Sequence, residues 1–138
     1  MISVYRGERS KRGKYRQEGM TMTLKGFYDE IGGDYEGVFE RIGSEALIVK
    51  YLRKFKDSDM LGQFNKSVEA GDCKEAFRHM HSLKGLCLNL GFTKLFESVD
   101  ELCEELRNKD KIVLLDDYLE EAKDSYREII DLVEGIEV

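Results

Sequence analysis

Apolar residues recur along this chain at intervals of three and four, the period of an α-helix packed on one side. The sharpest instance lies between Ala76 and Gly91, where Ala76, Met80, Leu83, Cys87 and Leu90 fall on one narrow stripe. Asp72 stands where an N-cap belongs and Gly91 where a C-terminal glycine cap belongs. Upstream, the pattern predicts a short helix from Thr23 to Ile31 closed by Gly32-Gly33. A second is opened by Asp34, carries Val38, Phe39 and Ile42, and is closed by Gly43. Ser44 opens a third, with Leu47, Ile48, Tyr51, Leu52 and Phe55 expected to face inward. Asp57-Ser58-Asp59 reads as a turn and cap, followed by a helix with Leu61, Phe64 and Val68 on one face and Gly71 as its stop. Downstream of Gly91, a helix from about Thr93 to Arg107 has Leu95, Val99, Leu102 and Leu106 in register. After Asn108-Lys109-Asp110, the last helix carries Leu115, Leu119, Ala122, Tyr126, Ile129 and Val133. No stretch alternates with period 2 for long enough to form a strand, and no internal repeat is visible. The expected fold is all-α, an antiparallel four-helix bundle with short additional N-terminal helices.

A chain of 138 residues is long enough for one domain with a real core. Residues 1–21 have no hydrophobic periodicity and hold six basic side chains against two acidic, whereas the whole chain is at −6. They are expected to form a disordered basic tail, and residues 22–138 the helical domain. Met20 and Met22 stand as alternative starts, because the patterned region begins beside them. An acidic body argues against nucleic-acid binding. There is no apolar run of about 18 residues and no apolar leader, so neither a membrane span nor a signal peptide is expected. Cys73, Cys87 and Cys103 are odd in number and lack C-x-x-C spacing, so they read as reduced thiols in a cytoplasmic protein.

Chemistry gathers around His81. At about 100° per residue, the imidazole lies roughly 140° from the centre of the apolar stripe, so packing that stripe turns His81 outward. Lys84 at i+3 and Gly85 at i+4 flank it. A glycine within a helix costs about 1 kcal/mol relative to alanine, and room for a bulky group or a partner would offset that. Phe77 and Leu88 lie beside His81 and away from the stripe, as an apolar docking patch would, or as an edge covered by a neighbouring helix. Lys74 and Arg78 are near the same face and could meet an acidic pocket. Asn89, two turns on, could reach the site or merely sit near the helix end. His79 points about 200° away from His81, on the flank of the stripe, and is expected to be structural. A zinc site from Cys73, His79 or Cys87 lacks ligand spacing, so no metal site is expected.

His81-Ser82-Leu83-Lys84-Gly85 followed by Asn89-Leu90-Gly91 resembles the H-x-L-K-G…N-L-G signature of histidine-containing phosphotransfer (HPt) domains, over roughly Thr23 to the C-terminus. The resemblance implies a phosphorelay intermediate with His81 as phosphoacceptor. Lys84 would be a cation near the phosphoryl oxygens, and Gly85 would give space beside them. An ordinary histidine offers the neutral, nucleophilic ring this needs near neutral pH. The implied partners are response-regulator receiver domains, a sensor histidine kinase, or both, with Mg²⁺ on the receiver and no cofactor on this chain. Phe77, Arg78, Leu88, Asn89 and Lys74 would form the partner surface, on a protein expected to be a monomer. No G-x-x-x-x-G-K-[ST] loop or other ATP-binding pattern is present, so an autonomous kinase is excluded. Two alternatives are a stand-alone relative of the chemotaxis kinase's phosphotransfer domain, loaded in trans, and a helical receiver-binding module without phosphotransfer.

Overall fold

The computed structural model describes residues 21–113 and 116–137. The expected tail, apart from Thr21, lies outside the described residues, as does Leu115. Seven helices occur among the described residues: α1 (Leu24–Ile31), α2 (Tyr35–Ile42), α3 (Glu45–Asp57), α4 (Met60–Glu69), α5 (Cys73–Leu90), α6 (Thr93–Leu106) and α7 (Asp116–Val133). Four begin at side chains able to accept from the first-turn amides, as such caps should. The Thr23 hydroxyl accepts from Gly26 N, Asp34 from Gly37 N, Ser44 from Leu47 N and Asp72 from Glu75 N. Gly32, Gly43 and Gly91 close α1, α2 and α5 in the left-handed conformation that glycine adopts without strain.

Helix α5 is central. It packs against α4 on one side and α6 on the other, and α6 packs in turn against α7, while α3 reaches across to α7. Short linkers make sequential neighbours antiparallel, giving an all-α helical bundle with α1 and α2 closing one end. The stripe Ala76, Met80, Leu83, Cys87 and Leu90 is buried, together with Leu95, Val99, Leu102 and Leu106 of α6 and Ala122, Tyr126, Ile129 and Val133 of α7. Burying such side chains contributes roughly 1.5–3 kcal/mol each for the larger ones, the principal favourable term in folding.

One local expectation is corrected. Tyr51 is 39% exposed, and Val49 takes the buried place beside Ile48, Leu52 and Phe55. The Tyr51 ring lies at the edge of the stripe and lines a groove towards α5. Asp59 occupies the cap position of α4 but gives no side-chain cap hydrogen bond, and its φ is +50°. The cap at this turn acts on the other helix: the Ser58 hydroxyl donates to Phe55 O at 2.6 Å, at the end of α3.

The end of α5 is held from several directions. Tyr28, buried on α1, donates its hydroxyl to Leu90 O at 2.7 Å. Arg41 of α2 donates to Leu88 O at 2.9 Å and Asn89 O at 3.0 Å. Asp34 N donates to Gly91 O at 2.9 Å. A Cβ on Gly91 would collide with Val38 Cγ2, so glycine is required there by close approach as well as by φ of +71°. At the same end of the bundle Met22 pairs with Ile136 in an isolated parallel bridge, through Met22 N to Gly135 O and Glu137 N to Met22 O, both 2.8 Å.

Candidate functional site

Opposite its buried stripe, α5 presents a second row. Lys74, Arg78, His81, Gly85 and Leu88 are all exposed and follow the same four-three spacing. The core stripe fixes the azimuth of the helix, so the ridge faces solvent by consequence. His81 is at its centre. The imidazole stacks on the ring of Phe77, one turn earlier, with centroids 5.6 Å apart and planes 20° from parallel. Among the described residues, no side chain hydrogen-bonds either ring nitrogen. The residue is exposed, so a partner can approach the ring from solvent.

The flanks of the ridge differ. On one side stands α6, whose Asp100 and Glu104 share a face at helical spacing, with Arg107 directly after its end. The Lys84 ammonium lies 2.7 Å from Asp100 Oδ1. That hydrogen bond is the main cause that raises Lys84 above the ordinary lysine value, and the charge of Asp100 adds to it. The Arg107 guanidinium lies over the Phe77 ring at 5.1 Å from its centroid and pairs with Glu104 at 3.0 Å. Phe77 thus has both the imidazole and a cation against its ring.

On the other side a groove of about 460 Å³ runs between α5 and the α2–α3 pair. Ile42, Tyr51, Phe55, Leu86 and Leu90 give it apolar walls, with Arg41, Lys54 and Asn89 at its margin.

Each sequence-predicted residue therefore has a place. His81, Gly85, Leu88, Arg78 and Lys74 are together on the ridge. Leu88 is 56% exposed, whereas Phe77 is half-buried against the core beneath Arg107. Phe77 and Leu88 are not one open apolar patch, because Phe77 packs partly against the core and lies against the Arg107 guanidinium. Arg78 folds back onto Glu75, with Nη2 2.5 Å from Oε1, and this pairing holds the Glu75 carboxyl below the usual range. Asn89 is turned to the groove side, and its backbone carbonyl serves the Arg41 contact. His79 is half-buried, with Nε2 3.8 Å from Glu75 Oε1. A Cβ built on Gly85 meets nothing within 4 Å, so no contact within the described chain requires glycine there. Asp100, Arg107 and Arg41 were not foreseen, since only the packing of α6 and α2 onto α5 brings them to the ridge. The three cysteines are free and buried. Burial raises the thiol of Cys87 far above its ordinary value and pushes Cys103 up to about 11.

A family model for the Hpt domain matches residues 51–136, which take in the second half of α3 and all of α4 to α7. No curated protein and no solved structure matches the chain.

Proposed function

Since the chain belongs to the Hpt domain family, whose work is histidine phosphotransfer in two-component signalling, we propose that it is a phosphorelay intermediate with His81 as its phosphoacceptor. The observation that carries this reading is the exposed imidazole at the centre of the α5 ridge, stacked on Phe77 and beside a glycine with open space around it. A lone pair on the ring attacks the phosphorus of a receiver's aspartyl phosphate. The N–P bond forms as the acyl P–O bond breaks, and the electron pair returns to the receiver's carboxylate. The resulting phosphoimidazolium can release its remaining ring proton to water. Transfer onward to a second receiver is the same exchange in reverse. Such reactions depend mostly on alignment and on cations near the equatorial oxygens. Lys84, one turn after His81, is the cation this chain would offer, and the receiver brings Mg²⁺ and its own acidic pocket. Lys74, Arg78 and Leu88 form the docking surface, with Phe77 supporting the ring from below and Asn89 at the margin. The setting is the cytoplasm, where receivers work.

The test is transfer of labelled phosphoryl from phosphorylated receivers. Wild type should take up acid-labile label and His81→Gln none. Full uptake by His81→Gln would end the assignment. Loading only when a histidine kinase catalytic domain and ATP replace the receiver would favour the chemotaxis-type alternative. Receiver binding without any label would favour a binding module, a reading to which the exposed Leu88 lends some weight.

A further inference from the structure

Lys84 is the cation on which the proposed chemistry relies, yet its ammonium is already engaged. Nζ lies 2.7 Å from Asp100 Oδ1, on the neighbouring helix α6, and both side chains keep partial access to water at 24% and 38%. Glu104, one turn further along α6, adds a second negative charge to that flank, and Arg107 occupies it at 3.0 Å. Arg107 is also committed to the Phe77 face, so it cannot readily replace Lys84 as the partner of Asp100. His81 and Lys84 are three residues apart, about one turn, so the flexible lysine stem can swing its ammonium from Asp100 to a group on the imidazole. A phosphoryl group on His81 brings close to two negative charges and three acceptor oxygens into that reach.

We propose that Asp100 is a positioning residue that competes with phosphohistidine for Lys84 and thereby tunes how tightly this protein holds its phosphoryl group. Without phosphate, the carboxylate keeps the ammonium on the α6 side, so the ridge presents a bare imidazole to an incoming receiver. With phosphate, the ammonium leaves Asp100 for the phosphoryl oxygens. Part of the stabilisation gained there is offset by the carboxylate left behind. The competition lowers the affinity of His81 for the phosphoryl group and favours passing it on, as a carrier requires. A permanently free lysine would hold the group too well. The bond exchange itself is unchanged: N–P for acyl P–O, with the electron pair returning to the receiver's carboxylate.

This inference rests on His81 being the acceptor, and the experiment keeps the two apart. Full-length wild type, Asp100→Asn, Lys84→Gln and the double variant are first loaded with phosphoramidate, a donor that needs no protein partner. Phosphoryl partition between each and the receiver that loads it is then measured at equilibrium. Asp100→Asn should move the partition towards His81 by about three- to fivefold, the upper part of the range open to a partly exposed charge pair. Lys84→Gln should move it towards the receiver, and in that background Asp100→Asn should change it by less than about twofold. An unchanged or opposite partition in Asp100→Asn overturns the proposal. So does a full shift that persists without Lys84, because the carboxylate would then act directly and not through the lysine. If wild type takes no phosphoryl group from either donor, the acceptor assignment itself falls and this inference with it. A loss of fold would show in circular dichroism, and Asp100→Glu, which restores the carboxylate, should return the partition towards wild type.

Discussion

Gly85 sits within α5, one turn after His81, and a methyl group built on it meets no atom within 4 Å. Its φ lies outside the left-handed range, so alanine can adopt the same backbone. Replacing it with alanine therefore adds no clash and removes the entropy that glycine loses on entering a helix. The expected gain is about 1 kcal/mol, the ordinary difference between the two residues in a helix interior. For a domain of roughly 115 residues, that raises the melting temperature by about 4 °C. The same methyl lies on the ridge beside the imidazole, where on the proposed function a receiver comes close enough for in-line transfer. A displacement of about 1 Å at the reacting atoms can cost about a hundredfold, so kcat/KM for transfer should fall by roughly tenfold or more. Thermal denaturation followed at 222 nm reads the first effect, and initial rates of label uptake the second. A lower melting temperature would mean that the glycine serves the fold. A higher one with undiminished transfer would mean that the open space serves nothing.

Other consequences concern the scaffold. Tyr28→Phe removes a buried hydroxyl and leaves Leu90 O without that donor, which should cost about 1–3 kcal/mol in urea denaturation. Burial raises the Tyr28 hydroxyl well above the ordinary tyrosine value of about 10, so the folded state keeps a proton that the unfolded chain releases. That contribution is complete below pH about 10 and declines as pH rises beyond it, so the wild-type alkaline loss of stability should be shallower in Tyr28→Phe. Tyr126 is raised in the same direction and should account for part of the loss that remains. Arg41→Met, which keeps much of the apolar stem, should cost about 1 kcal/mol through the lost Leu88 and Asn89 carbonyl contacts. Its amide exchange should quicken in the last turn of α5, and unchanged exchange there would count against the capping role.

Much of the bundle was legible because its determinants are local. Helix period, N-cap oxygens at Thr23, Asp34, Ser44 and Asp72, and glycines at Gly32, Gly43 and Gly91 act within a few residues of themselves. The outward turn of His81 was legible for the same reason, as the azimuth of α5 follows from its own stripe. Tyr51 was misplaced because a residue at a stripe's edge is buried or bare according to what packs there, and at that edge lies a groove. The salt bridge from Lys84 to Asp100, the cover of Phe77 by Arg107 and the cap from Arg41 join residues far apart in sequence. Each depends on the mutual rotation and height of two helices, and periodicity within one helix carries no record of that. Asp59 shows a further limit: it stands at the cap position of α4, yet its side chain makes no cap hydrogen bond there.

The buried stripe and the exposed ridge of α5 repeat the same spacing on opposite faces and share no residue. Folding and the proposed recognition are thus written into one helix in two alphabets that do not overlap. Substitutions at exposed positions away from caps and buried networks usually change stability by about 0.5 kcal/mol or less, and distant sites add independently. Lys74, Arg78 and Leu88 can therefore vary with little penalty to the bundle. A duplicated copy could drift towards a different receiver while its core stands still, and insulated signalling channels could arise from one scaffold by editing three or four surface positions.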